Sequence, residues 1–298
     1  MSNVVRRDAT PVQQGREEGP VRAPCEVLAS RRLGTYHQLT VVAPGVATRA
    51  SPGQFVSLGV DAPGALLRRP FSIGGVSQRG PWAGTVDITF SPVGVGTRWL
   101  ASREKHDVID VIGPLGRAFP IPKQSANCLL VGGGYGAAPL LYLARELQAE
   151  GLRVDLIFGA ASQDRLFNAI EAKRLATSTV FTTEDGSMGR QGRVTDVLPE
   201  RLEATGAGVI YGCGPMGMLA GVARIAERHK VPCQVAVEES MACGVGVCMT
   251  CVVPYHRREG LTNVRACYEG PVLDAKRIEW DAIGTPEMGD ARVESARP

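Results

Sequence analysis

Four of the eight cysteines fall within residues 243–267, and their spacing constrains this chain more than any other feature. Cys243, Cys248, Cys251 and Cys267 stand in a C-x4-C-x2-C-x15-C pattern. Gly244 and Gly246 in the first loop, CGVGVC, let the backbone turn tightly enough to aim amide N–H groups at sulfur. A C-x4-C-x2-C run with a distant fourth cysteine is the spacing with which four thiolates hold a [2Fe–2S] cluster. Structural zinc sites more often show C-x2-C pairs at both ends, and unligated cysteines also bury readily in cores. The spacing favours the cluster over both. Cys25, Cys128, Cys213 and Cys233 are scattered.

The rest of the composition narrows the class. The opening segment, MSNVVRRDATPVQQGREEGP, has no apolar stretch of the kind a secretory leader carries. Nor does any unbroken apolar run reach the ~18 residues that a membrane helix needs. The expected setting is a reducing cytoplasm, where disulfides are rare and clustered cysteines need another account. A net charge of +3, with basic pairs dispersed at Arg31-Arg32, Arg68-Arg69 and Arg257-Arg258, argues against nucleic-acid binding. Glycine, at 36 of 298 residues, is well above the usual ~7% but shows no Gly-X-Y period. Its enrichment is expected in turns where backbone must approach a phosphate or a sulfur closely.

Along the chain the texture changes several times. Residues 1–22 read as a polar, flexible tail. Residues 23–122 carry short β runs punctuated by Gly and Pro, at 36–43, 53–60, 69–75, 85–93 and 107–114. In TVDITF, Val86, Ile88 and Phe90 alternate with Thr85, Asp87 and Thr89, the period of a half-buried strand. Closely spaced strands of this kind predict an antiparallel sandwich or barrel, interrupted by one short helix near Thr97–Ser102. Residues 123–236 alternate strands with helices, which predicts βαβ units and a parallel sheet covered on both faces. The strands are 127–133, 153–160, 178–185, 208–214 and 233–239; helices are expected at 138–151, 164–176 and 215–229. A small cysteine-bearing unit at 237–275 and a polar tail at 276–298 complete the chain.

Two glycine turns lie where such a sheet binds ligands. Gly132, Gly134 and Ala137 satisfy G-x-G-x-x-[GA] between a strand and a helix, an arrangement that brings a pyrophosphate onto a helix N-terminus. Glycines also serve simply to pack such a turn. A second turn, Tyr211-Gly212-Cys213-Gly214-Pro215-Met216, closes a later strand, and ligands in open α/β sheets bind outside the carboxyl ends of the strands. Cys213 is either a core residue or a wall of that pocket. In the β region, Arg69 offers a forked donor to phosphate, Phe71 a flat face and Ser72 a hydroxyl. Gly94-Val95-Gly96-Thr97 opens the short helix, where free N–H groups suit an anion. Glu184 and Asp185 after the third α/β strand disfavour a 2′-phosphate, and with no arginine pair evident nearby the reading favours NAD over NADP.

In combination these motifs resemble a known family. RPFS (69–72), GVGT (94–97), the GPLG turn (113–116), GGGYGAAP (132–139), TEDGS (183–187) and GCGPM (212–216) occur in the order found in ferredoxin–NAD(P)⁺ reductase-like proteins. The terminal CGVGVCMTC…C resembles one branch of them, the electron-transfer subunits of dihydroorotate dehydrogenase B. The resemblance covers roughly residues 25–275. It implies an antiparallel FAD-binding β-barrel, a parallel-sheet NAD-binding domain and a small C-terminal [2Fe–2S] domain. Arg69, Pro70, Phe71 and Ser72 match the flavin motif, with Arg69 on the pyrophosphate and the strand along the isoalloxazine. Thr89, Phe90, Ser91, Gly96 and Thr97 match further flavin and pyrophosphate contacts. Gly132, Gly133, Gly134, Gly136, Cys213, Gly214, Pro215 and Met216 match the nicotinamide nucleotide motifs. Cys243, Cys248, Cys251 and Cys267 match the cluster ligands.

The partner implied is an FMN-containing subunit that oxidises dihydroorotate in pyrimidine biosynthesis, two of each chain assembling. Related reductase subunits serve other flavoproteins and hydrogenases. The chain departs from the family at its extended tails and at PYHRREG (254–260), a basic, enlarged loop facing a possible partner surface. No acid–base pair or nucleophile is called for, and His37, His106, His229 and His256 lie in unrelated contexts. The cofactors carry the reaction, with FAD converting between hydride exchange with NAD and single electrons at the cluster. A stand-alone NADH-dependent ferredoxin reductase and a zinc-stabilised nucleotide module are the alternatives.

Overall fold

The computed structural model describes residues 19–283. Its first half is a closed six-stranded antiparallel barrel: β1 (Val21–Leu33), β2 (Tyr36–Val42), β3 (Phe55–Leu58), β4 (Arg69–Ser77), β5 (Thr85–Phe90) and β6 (Val108–Leu115). The order β1-β2-β5-β4-β3-β6 closes because β6 pairs back onto β1, from Gly113 opposite Val21 to Val108 opposite Glu26. Closure removes the exposed edges that invite mispairing. Val27, Leu39, Val41, Ile73, Val86, Ile88 and Ile109 fill the interior. Two short helices sit in the connections, α1 (Pro44–Ala47) and α2 (Val95–Ala101), where one was expected.

Three expectations for this half need correction. The strand begins at Val21, so residues 21 and 22 belong to β1 and not to a tail; residues 1–18 lie outside the described residues. In β5, Thr85 and Thr89 are as buried as their apolar neighbours. Thr85 is covered by the loop whose Trp82 carbonyl accepts its hydroxyl at 2.8 Å, and Thr89 faces the adjoining domain. The GPLG segment is largely the end of β6, with Gly116 wedged against Gly270 and Pro271.

The second half is a seven-stranded sheet. Its chain order is β7 (Asn127–Gly133), α3 (Ala137–Ala149), β8 (Arg153–Ala160), α4 (Ala169–Leu175), β9 (Ser178–Thr183), β10 (Arg190–Gln191), α5 (Val194–Thr205), β11 (Val209–Cys213), α6 (Met216–His229) and β12 (Cys233–Ala236). A hairpin, β13 (Val252–Arg257) and β14 (Gly260–Arg265), follows, and then β15 (Val272–Asp274). The sheet order is β10-β9-β8-β7-β11-β12-β15. The chain runs outward from β7 to β10 and returns to β11, so the switch point lies between β7 and β11, where such sheets bind ligands. The sheet is not wholly parallel: β15 pairs antiparallel with β12, and its buried Val272 and Leu273 close that edge. The helix expected over 164–176 is broken, because Asn168 adopts a left-handed φ of 45° between a 3-10 turn and α4.

The cysteine-bearing lobe has no core of its own. Cys251, Val253, Val264, Ala266, Cys267 and Ile278 join the cluster of α5 and α6 residues on one face of the sheet. Residues 276–283, expected to begin a tail, are folded: Ile278 is buried, the Trp280 indole donates to the Ala275 carbonyl at 2.9 Å, and Arg224 pairs with Asp281 at 2.7 Å. Residues 284–298 lie outside the described residues. The basic 254–260 segment is a hairpin with much of its charge paired internally, Arg257 with Glu269 at 2.6 Å and His256 with Glu279 at 2.8 Å. Among the described residues no helix is long and apolar enough to cross a membrane.

Candidate functional site: a two-walled cleft and a cysteine turn

A cleft of about 1050 Å³ opens between the barrel and the carboxyl ends of β7 and β11. Pro70, Phe71, Ser72, Thr89, Phe90, Ser91 and Thr97 line its barrel wall. Gly133, Gly134, Gly136, Cys213, Gly214 and Pro215 line the other. The pairing of β4 with β5 brings Phe71 and Phe90 to a ring separation of 5.1 Å. Thr89 Oγ1 on one wall and Thr182 Oγ1 on the other are buried without a partner among the described residues. A buried hydroxyl with nothing to bond is costly, so each is poised for a polar ligand atom. Arg69 and Gly96 lie together beyond the cleft's lining; a Cβ on Gly96 would come within 3.0 Å of Arg69 Nε.

The glycine turns turn out to be packed mainly against the protein itself. A Cβ on Gly136 would sit 2.7 Å from the Cys213 carbonyl, and one on Gly133 would sit 2.7 Å from Met218 Sδ and 2.9 Å from Pro215. Gly132 is sealed behind the cleft against Phe158, and Met216 packs into the core rather than lining the cleft. The glycine enrichment at these positions therefore serves the close approach of the two turns, not only the approach of a ligand. Cys213 is both buried and part of the wall, and burial pushes its thiol up to about 12.

Several lining residues carried no local sequence signal. Tyr135 in the glycine turn stands edge-on to Tyr36 of β2 at 5.8 Å and donates its hydroxyl to the Glu238 carboxylate. Burial, reinforced by Glu238, raises the Tyr135 pKa and keeps that proton in place. One side chain thus ties the glycine turn to the segment leading into Cys243. Glu184 lines the cleft as expected, but Arg193 pairs with it at 3.7 Å, and Arg165, Arg224 and Arg228 line the same cleft. The expectation that no arginine pair stands near Glu184 is corrected: Arg193 reaches it from the start of α5, while Arg165, from the turn after β8, and Arg224 and Arg228, from α6, join the cleft through tertiary packing.

The four sequence-predicted cysteines come together at one turn. Val245, Val247 and Cys248 amides donate to Cys243 Sγ at 3.4, 3.3 and 3.5 Å. Gly246 N donates to Cys267 Sγ at 3.1 Å, and Cys267 N to Cys251 Sγ at 3.4 Å. The Thr250 hydroxyl lies 2.9 Å from Cys248 Sγ and brings that exposed thiol down to about 6. Burial pushes Cys267 up to about 12. The Cys248 amide meets the Cys243 sulfur and the Cys267 amide the Cys251 sulfur, which groups the four residues two by two. Two pairs of thiolates suit two irons, each taking two ligands.

Known proteins share this arrangement. Residues 238–279 match the iron–sulfur cluster binding domain of dihydroorotate dehydrogenase B, and residues 130–224 match the oxidoreductase NAD-binding domain. The chain is 34% identical over 240 residues to the dihydroorotate dehydrogenase B (NAD(+)) electron transfer subunit of Desulforamulus reducens, covering 80% of this chain and 90% of that one. Its counterpart in Caldanaerobacter subterraneus is 35% identical over 254 residues, covering 85% and 96%. The chain belongs to the dihydroorotate dehydrogenase B electron-transfer subunit family. Among solved structures, a chain of the NADH-dependent reduced ferredoxin–NADP oxidoreductase superposes with a TM-score of 0.77 at 27% identity, covering 92% of this chain and 98% of that one. The iron–sulfur match spans all four cysteines and the β13–β14 hairpin of this family member, and the NAD-binding match runs from the end of β7 into α6, through both glycine turns.

Proposed function

We propose that this chain is the cytoplasmic electron-transfer subunit of a dihydroorotate dehydrogenase, moving electrons between NAD and an FMN-containing catalytic subunit. The observation that carries the reading is the seat of the cysteine turn on the barrel. A Cβ on Gly244 would lie 3.7 Å from both Phe55 and Leu115. Phe55 lines the cleft and pairs across the sheet with Ser72 of the flavin motif. A single side chain thus separates the cleft wall from the turn that would hold iron.

The residues present fit the groups the family implies. The Arg69 guanidinium beside Gly96 would hold the FAD pyrophosphate, where Gly96 leaves room that a Cβ would fill. Ser72 and the unpartnered Thr89 hydroxyl would bond the polar edge of the isoalloxazine, with Phe71 beside it. Gly133, Gly134, Gly136, Cys213 and Pro215 would receive the nicotinamide nucleotide on the opposite wall. Cys243 with Cys248, and Cys251 with Cys267, would ligate the two irons. When bound, FAD supplies the conversion between two-electron hydride exchange with NAD(H) and one-electron exchange with the cluster. The chain's own task is placement: the barrel wall would hold the flavin and the facing glycine turns would hold the nicotinamide nucleotide. The relatives are named for NAD(+), so NAD is the expected nucleotide.

Affinity purification of the full chain from its native cell tests the reading. The expected result is co-purification of an FMN-containing protein and dihydroorotate-dependent reduction of NAD⁺. A chain that purifies alone and passes electrons from NADH to ferredoxin or a dye would contradict it.

A further inference from the structure

The cysteine turn is gripped from outside by one arginine. Arg265, the last residue of β14, donates from Nη1 to the Gly246 carbonyl at 2.9 Å. The N–H at the other end of that Gly246–Val247 peptide points to Cys243 Sγ at 3.3 Å. The preceding N–H, of Gly246 itself, points to Cys267 Sγ at 3.1 Å. The Gly246 carbonyl shares its peptide plane with the Val247 N–H, so by holding that carbonyl Arg265 fixes the direction of the donor aimed at Cys243.

The grip is itself braced. Glu269 Oε2 accepts from Arg265 N at 2.8 Å and from its Nε at 3.2 Å, and Glu269 Oε1 accepts from Arg257 at 2.6 Å. The Arg265 guanidinium lies 5.0 Å from the centre of the Tyr268 ring. Gly246 has a φ of +83°, and a Cβ there would come within 2.9 Å of Tyr268. Arg265 is not a ligand and does not touch sulfur in any described contact.

We propose that Arg265 is a positioning residue of the electron-transfer site: through the Gly246–Val247 peptide it holds the N–H donor on Cys243 and so raises the reduction potential of the cluster. The inference rests on the iron–sulfur reading above. Reduction adds one electron, and no proton, to the thiolate-held irons, so the reduced form carries one more negative charge. Hydrogen bonds to the sulfurs stabilise that charge and move the potential upward. A charged donor on the carbonyl also polarises the peptide, which strengthens the N–H aimed at Cys243.

The test is a redox titration of the anaerobically purified full chain, followed by electron paramagnetic resonance. Arg265→Met should lower the midpoint potential by about tenfold in the reduced-to-oxidised ratio, ~59 mV for a one-electron couple. It should also change the g-values of the reduced cluster. Arg265→Lys, which can reach the Gly246 carbonyl without the fork to Glu269, should recover part of the shift. Glu269→Gln leaves the guanidinium in place with a weaker brace and should move the potential the same way by less. Unchanged potential and g-values in Arg265→Met, at full iron content, would overturn the proposal. If Arg265→Met does not retain iron, an unchanged Glu269→Gln overturns it. A wild-type chain with no signal from a reduced cluster would instead sink the iron–sulfur reading itself.

Discussion

At the floor of the cleft the protein leaves no spare room, with Gly136 close enough to Cys213 that a single added carbon would strike its carbonyl. At the cysteine turn, Cys248 is exposed, Val247 is 78% exposed, and the sulfurs are met by backbone amides and one hydroxyl. The first region is shaped by buried strands packing on one another, so its form does not wait for a ligand. The second is a loop on the surface of a shared core, shaped by what it points at sulfur. Changes in the cleft should therefore register as lost folding stability, and changes at the turn as lost electron transfer with the fold intact.

The sharpest separation comes from Cys248→Ser. Because Cys248 lies on the surface, the substitution should leave the denaturation midpoint and NADH reduction of the flavin unchanged while onward one-electron transfer is lost. Stopped-flow absorbance, following flavin reduction and acceptor reduction separately, reads both. Full onward transfer would show that the cysteine turn is not on the path. Gly136→Ala tests the other region. Driving a methyl group into the Cys213 backbone should cost ~3 kcal/mol in a urea titration and weaken NAD⁺ binding, with the resonance signal of the reduced cluster unaltered.

Asp110→Asn probes the closure of the barrel. Asp110 accepts from Arg22 and from Arg68, each at 2.8 Å, while Arg68 also reaches the Ser57 carbonyl. The loss should be about 1–2 kcal/mol, since the site is partly open to water. The Arg22 hydrogen bond, aided by Arg68, holds the Asp110 carboxyl below the usual carboxylate range. A group whose pKa is lowered on folding contributes its full stability above its unfolded value and loses it as pH falls through the folded one. Below a pH of about 4 the wild-type midpoint should accordingly fall more steeply than that of Asp110→Asn. The smallest effect is expected from Tyr135→Phe, which removes the bond joining the glycine turn to Glu238. A loss of less than ~1 kcal/mol should appear in the same titration.

What the sequence made legible was local and contiguous. The cysteine spacing, the unbroken apolar run of β7 and the glycines before α3 each announce themselves within a dozen residues. The β8 strand at Arg153–Ala160 falls where its apolar run predicts. Elements defined by distant partners were harder to see. The β1 strand alternates charged and half-buried residues because it pairs on both sides around the barrel, and α5 carries Pro199 and a polar face that mask its period. The return of β15 to the edge of the sheet, and the folding of residues 276–283 onto α6, depend on contacts with elements more than thirty residues away. The same holds for Tyr36 and Glu238, which reach the cleft through Tyr135, about a hundred residues away from each.

The account stands most directly on one anaerobic titration of the purified full chain with a stoichiometric reductant. It predicts uptake of about three electrons per chain, two bleaching the flavin absorbance and one producing the paramagnetic signal of a reduced [2Fe–2S] cluster. Uptake that stops at two electrons with no paramagnetic signal, or a colourless protein that takes up none, would contradict it.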